Sequence, residues 1–188
     1  MHEARVVNLL GATALAVTDL LVAGAKTASG TSSSGAAALV LLHEENRLNV
    51  TELGRRVGLT QSAAARMVDG LEQRGLVTRR PTGSRWVSVH LTAAGRRVAR
   101  QLLDSRNTEI AALVARLSLA DQRTLATILE KLLTGIHHGV GNSDRICRLC
   151  DRGSCLRAGA SCPVGQSRRR QAAQVGAHHD ARAGEAVG

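Results

Sequence analysis

The chain has 188 residues, a net charge of +10 at neutral pH, and apolar side chains at 44% of its positions. It is large enough to bury a core without disulfide staples, and its excess of arginine points to a polyanionic partner. It has no Phe or Tyr and one Trp, Trp86, which argues against the aromatic stacking that grips single-stranded nucleic acid and leaves duplex DNA favoured.

The first helix is expected from about Glu3 to Ala25. Its segment Val6 to Ala25 is almost continuously apolar or small, but Asn8, Thr13, Thr18 and Asp19 interrupt it. Those polar residues argue against a membrane span or signal peptide and for a helix buried on most sides, as in a dimer interface. Lys26 to Ser34 reads as a loop with N-cap candidates, followed by a short apolar helix from Ala36 to Glu45. Val50 to Val57 is a short amphipathic helix with Val50, Leu53 and Val57 on one face, broken by Gly58-Leu59. Thr60 then caps a helix from Gln61 to Arg74, whose inward stripe is Ala64, Met67, Val68 and Leu71 and whose other side carries Gln61, Ser62, Ala65, Arg66 and Asp69. Gly75 closes it as a C-terminal glycine.

Two helices joined by a short glycine-containing turn form the helix-turn-helix pattern. A two-stranded wing follows: Leu76 to Arg80, a turn at Pro81-Thr82-Gly83-Ser84, and Arg85 to Leu91, with Trp86, Ser88 and His90 alternating against Val87, Val89 and Leu91. Thr92 caps a long helix, Ala93 to about Arg116, with Val98, Leu102, Ile110, Leu113 and Leu117 among its apolar positions. A last helix starts at Ser118 to Asp121 and runs to about His137, with Leu125, Ile128, Leu129, Leu132 and Leu133 as its buried stripe. From Gln166 to Gly188 there is no apolar periodicity, and the segment reads as a disordered tail.

The stretch Leu53-Gly54-Arg55-Arg56-Val57-Gly58-Leu59-Thr60-Gln61-Ser62, then Val68-Asp69-Gly70-Leu71-Glu72-Gln73-Arg74-Gly75-Leu76-Val77, and the exit Val89-His90-Leu91-Thr92-Ala93-Ala94-Gly95 resemble the MarR family of regulators. With the flanking helices, the resemblance covers roughly residues 3 to 140. It implies a homodimer in which the first and the last two helices interlock. It also implies a second motif helix in the major groove, a wing at the minor groove, and repression from a palindromic operator. A small-molecule effector, a metal or cysteine oxidation would change the affinity. The wing departs from the family: Arg85 stands where the family carries its Arg, but Gly83 stands where the family often has an Asp. Arg79 and Arg80 are the cations that would compensate.

The candidate DNA contacts are Arg55, Arg56, Thr60, Gln61, Ser62, Arg66, Arg79, Arg80 and Arg85. A helix N-terminus at Thr60, Gln61 and Ser62 offers N–H groups to phosphate. Gln61 has the chemistry to read adenine and Arg66 to read guanine. From Arg55 to Arg85 there are seven Arg and two acids, a net of +5.

Four cysteines, Cys147, Cys150, Cys155 and Cys162, lie within 16 residues, and there is no other Cys. Their thiolates could converge on one metal or cluster, with Arg145, Arg148, Arg152 and Arg157 offsetting the charge. Only one Cys-x-x-Cys is present, and Cys162-Pro163 is the ending found in bacterial iron–sulfur ligation, so an iron–sulfur cluster, zinc and reversible disulfides all stay open. No carboxylate pair, Ser/His/Asp set or phosphate loop suggests an enzyme.

The expected fold class is mainly α with a small two-stranded β wing, a winged helix-turn-helix plus a helical dimerisation domain. Its parts are a dimerisation helix and loop (1–35), the DNA-binding domain (36–92), two dimerisation helices (93–141), the four-cysteine segment (142–165) and the tail (166–188). The expected protein is a cytoplasmic, homodimeric regulator of double-stranded DNA with no membrane association. The alternative is a protein-docking winged helix with a structural zinc clip.

Overall fold

A computed structural model of the chain describes residues 2–45, 47–82, 86–140 and 143–165. Two compact units are distinguished. The first holds residues up to Leu117 together with Arg148–Cys150; the second holds Ser118–Cys147 and the chain from Asp151 onward. The expected tail and the wing residues Gly83 to Arg85 lie outside the described residues.

The first unit contains α1 (His2–Ser29), α2 (Ser33–Glu44), α3 (Val50–Val57), α4 (Gln61–Gln73), β1 (Val77–Thr82), β2 (Trp86–Leu91) and α5 (Ala93–Val114). The expected loop at Lys26 to Ser34 shrinks, because α1 continues to Ser29 and Ser32 already caps α2 through the Gly35 amide (3.2 Å). The strands are antiparallel, pairing Val77 with Leu91 and Arg80 with Ser88. Pro81 and Thr82, expected in the turn, extend β1 instead, since their partners Val87 and Trp86 keep the ladder going. The Val89 N–H also donates to the Leu48 carbonyl (2.8 Å), which adds a short third edge to the wing.

The core is aliphatic. Ala36, Ala37, Ala38, Leu39, Val40 and Leu42 of α2 are buried together with Leu53, Val68, Leu71, Val77, Val89, Ala99 and Leu102. Small side chains let the helices approach closely, and the closest approach sets the helix-turn-helix. A Cβ on Gly54 would stand 2.5 Å from the Cβ of Ala64. Gly58 then turns the chain at φ 77, a left-handed conformation that costs a glycine little.

α1 departs from expectation. It packs along α5 and α2, but Val6, Val7, Leu9, Leu10, Leu15 and Val22 are exposed, Leu15 at 71%. Among the described residues, neighbours cover one side of this helix only. By length and composition Glu3–Gly24 is also sufficient to cross a membrane.

The second unit contains α6 (Leu119–Val140), α7 (Ser143–Ile146), α8 (Arg152–Cys155) and a 3-10 turn at Arg157–Gly159. Ser118 caps α6: its hydroxyl donates to Asp121 Oδ2 (2.6 Å) and accepts from the Asp121 amide (3.1 Å). The expected buried stripe of α6 is only partly covered among the described residues. Ile128 and Leu129 are 47% and 45% exposed, while Leu125, Leu132 and Leu133 are half-buried.

Gly54→Ala should destabilise the protein by about 1–3 kcal/mol, since a packed helix crossing must open to admit the methyl. Gly70→Ala is the control. It sits within α4 with nothing within 4 Å of its would-be Cβ, and should stabilise by roughly 0.5–1 kcal/mol. Urea denaturation of the two variants measures both signs.

Candidate nucleic-acid interface

Thr60 opens α4 as expected. Its hydroxyl accepts from the Ala63 amide (3.3 Å) and lies 3.4 Å from Ser62 Oγ. Thr60, Gln61, Ser62 and Arg66 are all exposed. Arg66 makes no hydrogen bond or ion pair among the described residues. Ala64 and Val68 on the opposite side are fully buried, so the helix is anchored by one face and offers the other. The N-terminal amides and the positive end of the helix dipole add an attraction for phosphate beside these side chains.

The arginines of the site divide into two kinds. Arg56 is drawn inward, its side chain 16% exposed, with Nε on Glu52 Oε1 (2.8 Å) and Nη1 on Glu45 Oε1 (2.6 Å). It therefore ties the end of α2 to α3. Arg55 is more exposed but forks onto the same Glu52 carboxylate (2.9 and 2.8 Å). Arg79 donates through Nη2 to Asp69 Oδ1 (2.6 Å) and through Nη1 to Glu72 Oε2. Burial opposes its charge, yet the two carboxylates hold its pKa above the usual guanidinium value. Arg80 is exposed. Arg85 lies outside the described residues.

The sequence reading missed the carboxylates that hold these cations. Glu52 stands three and four residues before Arg55 and Arg56, a helical spacing that could have flagged both pairs. Glu45 on Arg56 and Asp69 and Glu72 on Arg79 are brought together by the tertiary fold. His90 was also missed as a titratable residue of the wing. Its ring Nε2 lies 2.7 Å from Ser88 Oγ. Burial, then the charges of Arg80 and Arg47, keep it below the usual imidazole range.

The cysteines are not gathered as expected. All four are half-buried thiols, and among the described residues no three His, Cys, Asp or Glu side chains are placed to hold a metal ion. In the second unit the Gly165 amide donates to Cys162 Sγ (3.3 Å), and Asp151 caps α8 through the Ser154 amide (3.0 Å). In the first unit Leu149 packs against the core and lines a narrow apolar cleft with Leu21, Val40, Leu102, Leu103 and Arg106. Arg106 Nε is buried there without a hydrogen-bond partner among the described residues.

The hydrogen bonds from Arg55 and Arg56 lower the Glu52 pKa from 4.5 to about 2. A carboxyl depressed in the folded state contributes stability that is complete above pH 4.5 and is lost as the pH falls through about 2. Glu52→Gln should therefore flatten the acid limb of a melting-temperature profile in that window. A Glu52→Gln profile parallel to the native one would contradict the clamp.

Residues 32–83 match the sequence model of the MarR family. The chain is 26% identical over 112 residues to the uncharacterized HTH-type transcriptional regulator YdgJ of Bacillus subtilis, a match covering 58% of this chain and 68% of YdgJ. Its fold is that of a MarR family protein from Bacillus stearothermophilus (TM-score 0.64, 24% identity, 72% of this chain and 95% of the other). The Mycobacterium tuberculosis MarR family protein RV2887 is also similar. In complex with DNA it gives a TM-score of 0.51 at 28% identity, covering 65% of this chain and 96% of the other. In complex with p-aminosalicylic acid the values are 0.50 and 29%, covering 65% and 97%. The helix-turn-helix, the wing and the match over residues 32–83 agree: this chain carries a winged helix-turn-helix of the MarR type and is similar to transcriptional regulators rather than to enzymes.

Proposed function

We propose that this regulator is a cytoplasmic homodimeric repressor that binds a palindromic operator in double-stranded DNA. The observation that carries this reading is the exposed edge of α4, where the Thr60 cap, Gln61, Ser62 and an unengaged Arg66 stand beside the basic wing. The DNA complex of RV2887 supports the same use of the fold. On this reading α4 enters the major groove, with Arg66 on a guanine and Gln61 on an adenine. Arg80 and Arg85 bring the wing to the neighbouring minor groove, and Arg55 meets phosphate. The uncovered apolar faces of α1 and of α6 support a second copy of the chain as the partner at each.

Gel-shift titrations with the DNA upstream of its own gene test this. Arg66→Ala should cost about 1–3 kcal/mol on the operator and relax discrimination at one base pair. Arg85→Ala should weaken binding and flatten its salt dependence by about one phosphate contact. Equal affinity for operator and scrambled duplex would instead favour a protein-docking role for the winged helix.

The finer reading concerns the signal. The cysteine segment is the part of the chain suited to sense redox state or a metal, and its support is the spacing of the four thiols among arginines. Leu149, between Cys147 and Cys150, sits on the core of the DNA-binding unit, so a change at Cys150 would be felt there. A small-molecule effector is the other option, in keeping with the p-aminosalicylic acid complex of RV2887. Metal analysis and an absorption spectrum of anaerobically purified protein separate the options. Visible absorbance that bleaches with oxidant indicates a cluster, and a colourless protein with one zinc per chain indicates a clip. Metal-free protein whose DNA affinity ignores oxidant would remove the segment from the sensing role.

A further inference from the structure

Arg79 has a setting unlike that of the other wing cation. Alternation along β1 places it on the same face as the buried Val77, while Arg80 points away. The guanidinium reaches back across the Gly75 turn to α4, donating to Asp69 and to Glu72, while the Arg79 backbone N–H donates to Glu72 Oε1 (2.9 Å). Glu72 thus receives a main-chain and a side-chain bond from one wing residue. Such a fork fixes orientation in a way that a single ammonium cannot. Asp69 lies three residues beyond Arg66 and seven beyond Ser62, on the outward face of α4. Left uncompensated, its carboxylate would face the phosphates that Arg66 approaches.

Building on the DNA-binding reading above, we propose that Arg79 is a positioning residue: it locks the wing to the recognition helix and neutralises Asp69 at the DNA-facing edge, and does not itself contact phosphate. The family's steadying Asp is absent at Gly83, and Arg79 adds a charged hydrogen-bonded tie between the wing and α4 to the apolar packing of Val77 and Val89 on Val68 and Leu71.

The test compares operator affinity and footprint for four proteins. Arg79→Met should weaken specific binding about tenfold, because it leaves two carboxylates without their cation. At saturating protein it should also blur the hydroxyl-radical footprint of the wing while major-groove protection by α4 persists. Arg79→Lys should be weak as well, since it keeps the charge and loses the fork. The triple variant Arg79→Met/Asp69→Asn/Glu72→Gln should recover most of the affinity. A triple variant as weak as Arg79→Met, together with near-native binding by Arg79→Lys, would overturn the proposal and make Arg79 a phosphate contact.

Thermal melts separate this from a failure of the DNA reading. Native protein with no operator preference would refute that reading alone. The lock would still appear as non-additive shifts in melting temperature for Arg79→Met and Glu72→Gln, and additive shifts would refute the lock alone.

Discussion

The small and branched side chains of α2 are packed on every side by other elements, and the DNA-binding unit takes its shape from that packing. Ala36, Ala37 and Ala38 let α1, α3, α4, α5 and β2 share one central helix. A chain without Phe or Tyr cannot fill wide gaps, so its helices have to come close. The approach of Gly54 to Ala64 is the sharpest expression of this constraint. It sets the crossing of α3 over α4 and therefore which face of α4 is left exposed.

Charge is organised on that frame by pairing as much as by excess. Seven arginines between Arg55 and Arg85 give the region its positive field, but Arg55, Arg56 and Arg79 are tied to carboxylates of the same fold. Pairs with partial exposure contribute modestly to stability, and their value here is geometric. Arg56 connects α2 to α3, and Arg79 connects the wing to α4. The exposed Arg66 and Arg80 keep their charge facing outward.

A short piece of the C-terminal segment, Arg148–Cys150, belongs to the same compact unit as this frame. Leu149 takes part in the packing around Val40, Leu102 and Leu103, so a short piece of the cysteine-rich chain belongs to the core of the DNA-binding unit. Four thiols in a polar, arginine-rich stretch suggested convergence on a metal, and the described residues do not show it. Spacing permits convergence, whereas ligation requires a backbone path that aims the sulfurs at one point, and spacing does not specify that path.

Much of the fold was written in local signals. The Thr60 cap, the Gly58 turn, the Gly75 terminator and the Ala64, Val68 and Leu71 stripe each depend on neighbours within one or two helical turns, so the sequence by itself determined the helix-turn-helix, the wing and the exposed face of α4. The apolar runs of α1 and α6 were equally legible, but not their exposure, because hydrophobicity records that a face needs a cover and not where the cover comes from. The roles of Arg56 and Arg79 were decided by tertiary structure alone. Glu45 lies eleven residues before Arg56, and Asp69 and Glu72 lie ten and seven before Arg79 across a turn. Only the packed angle between elements brings those charges within hydrogen-bond reach.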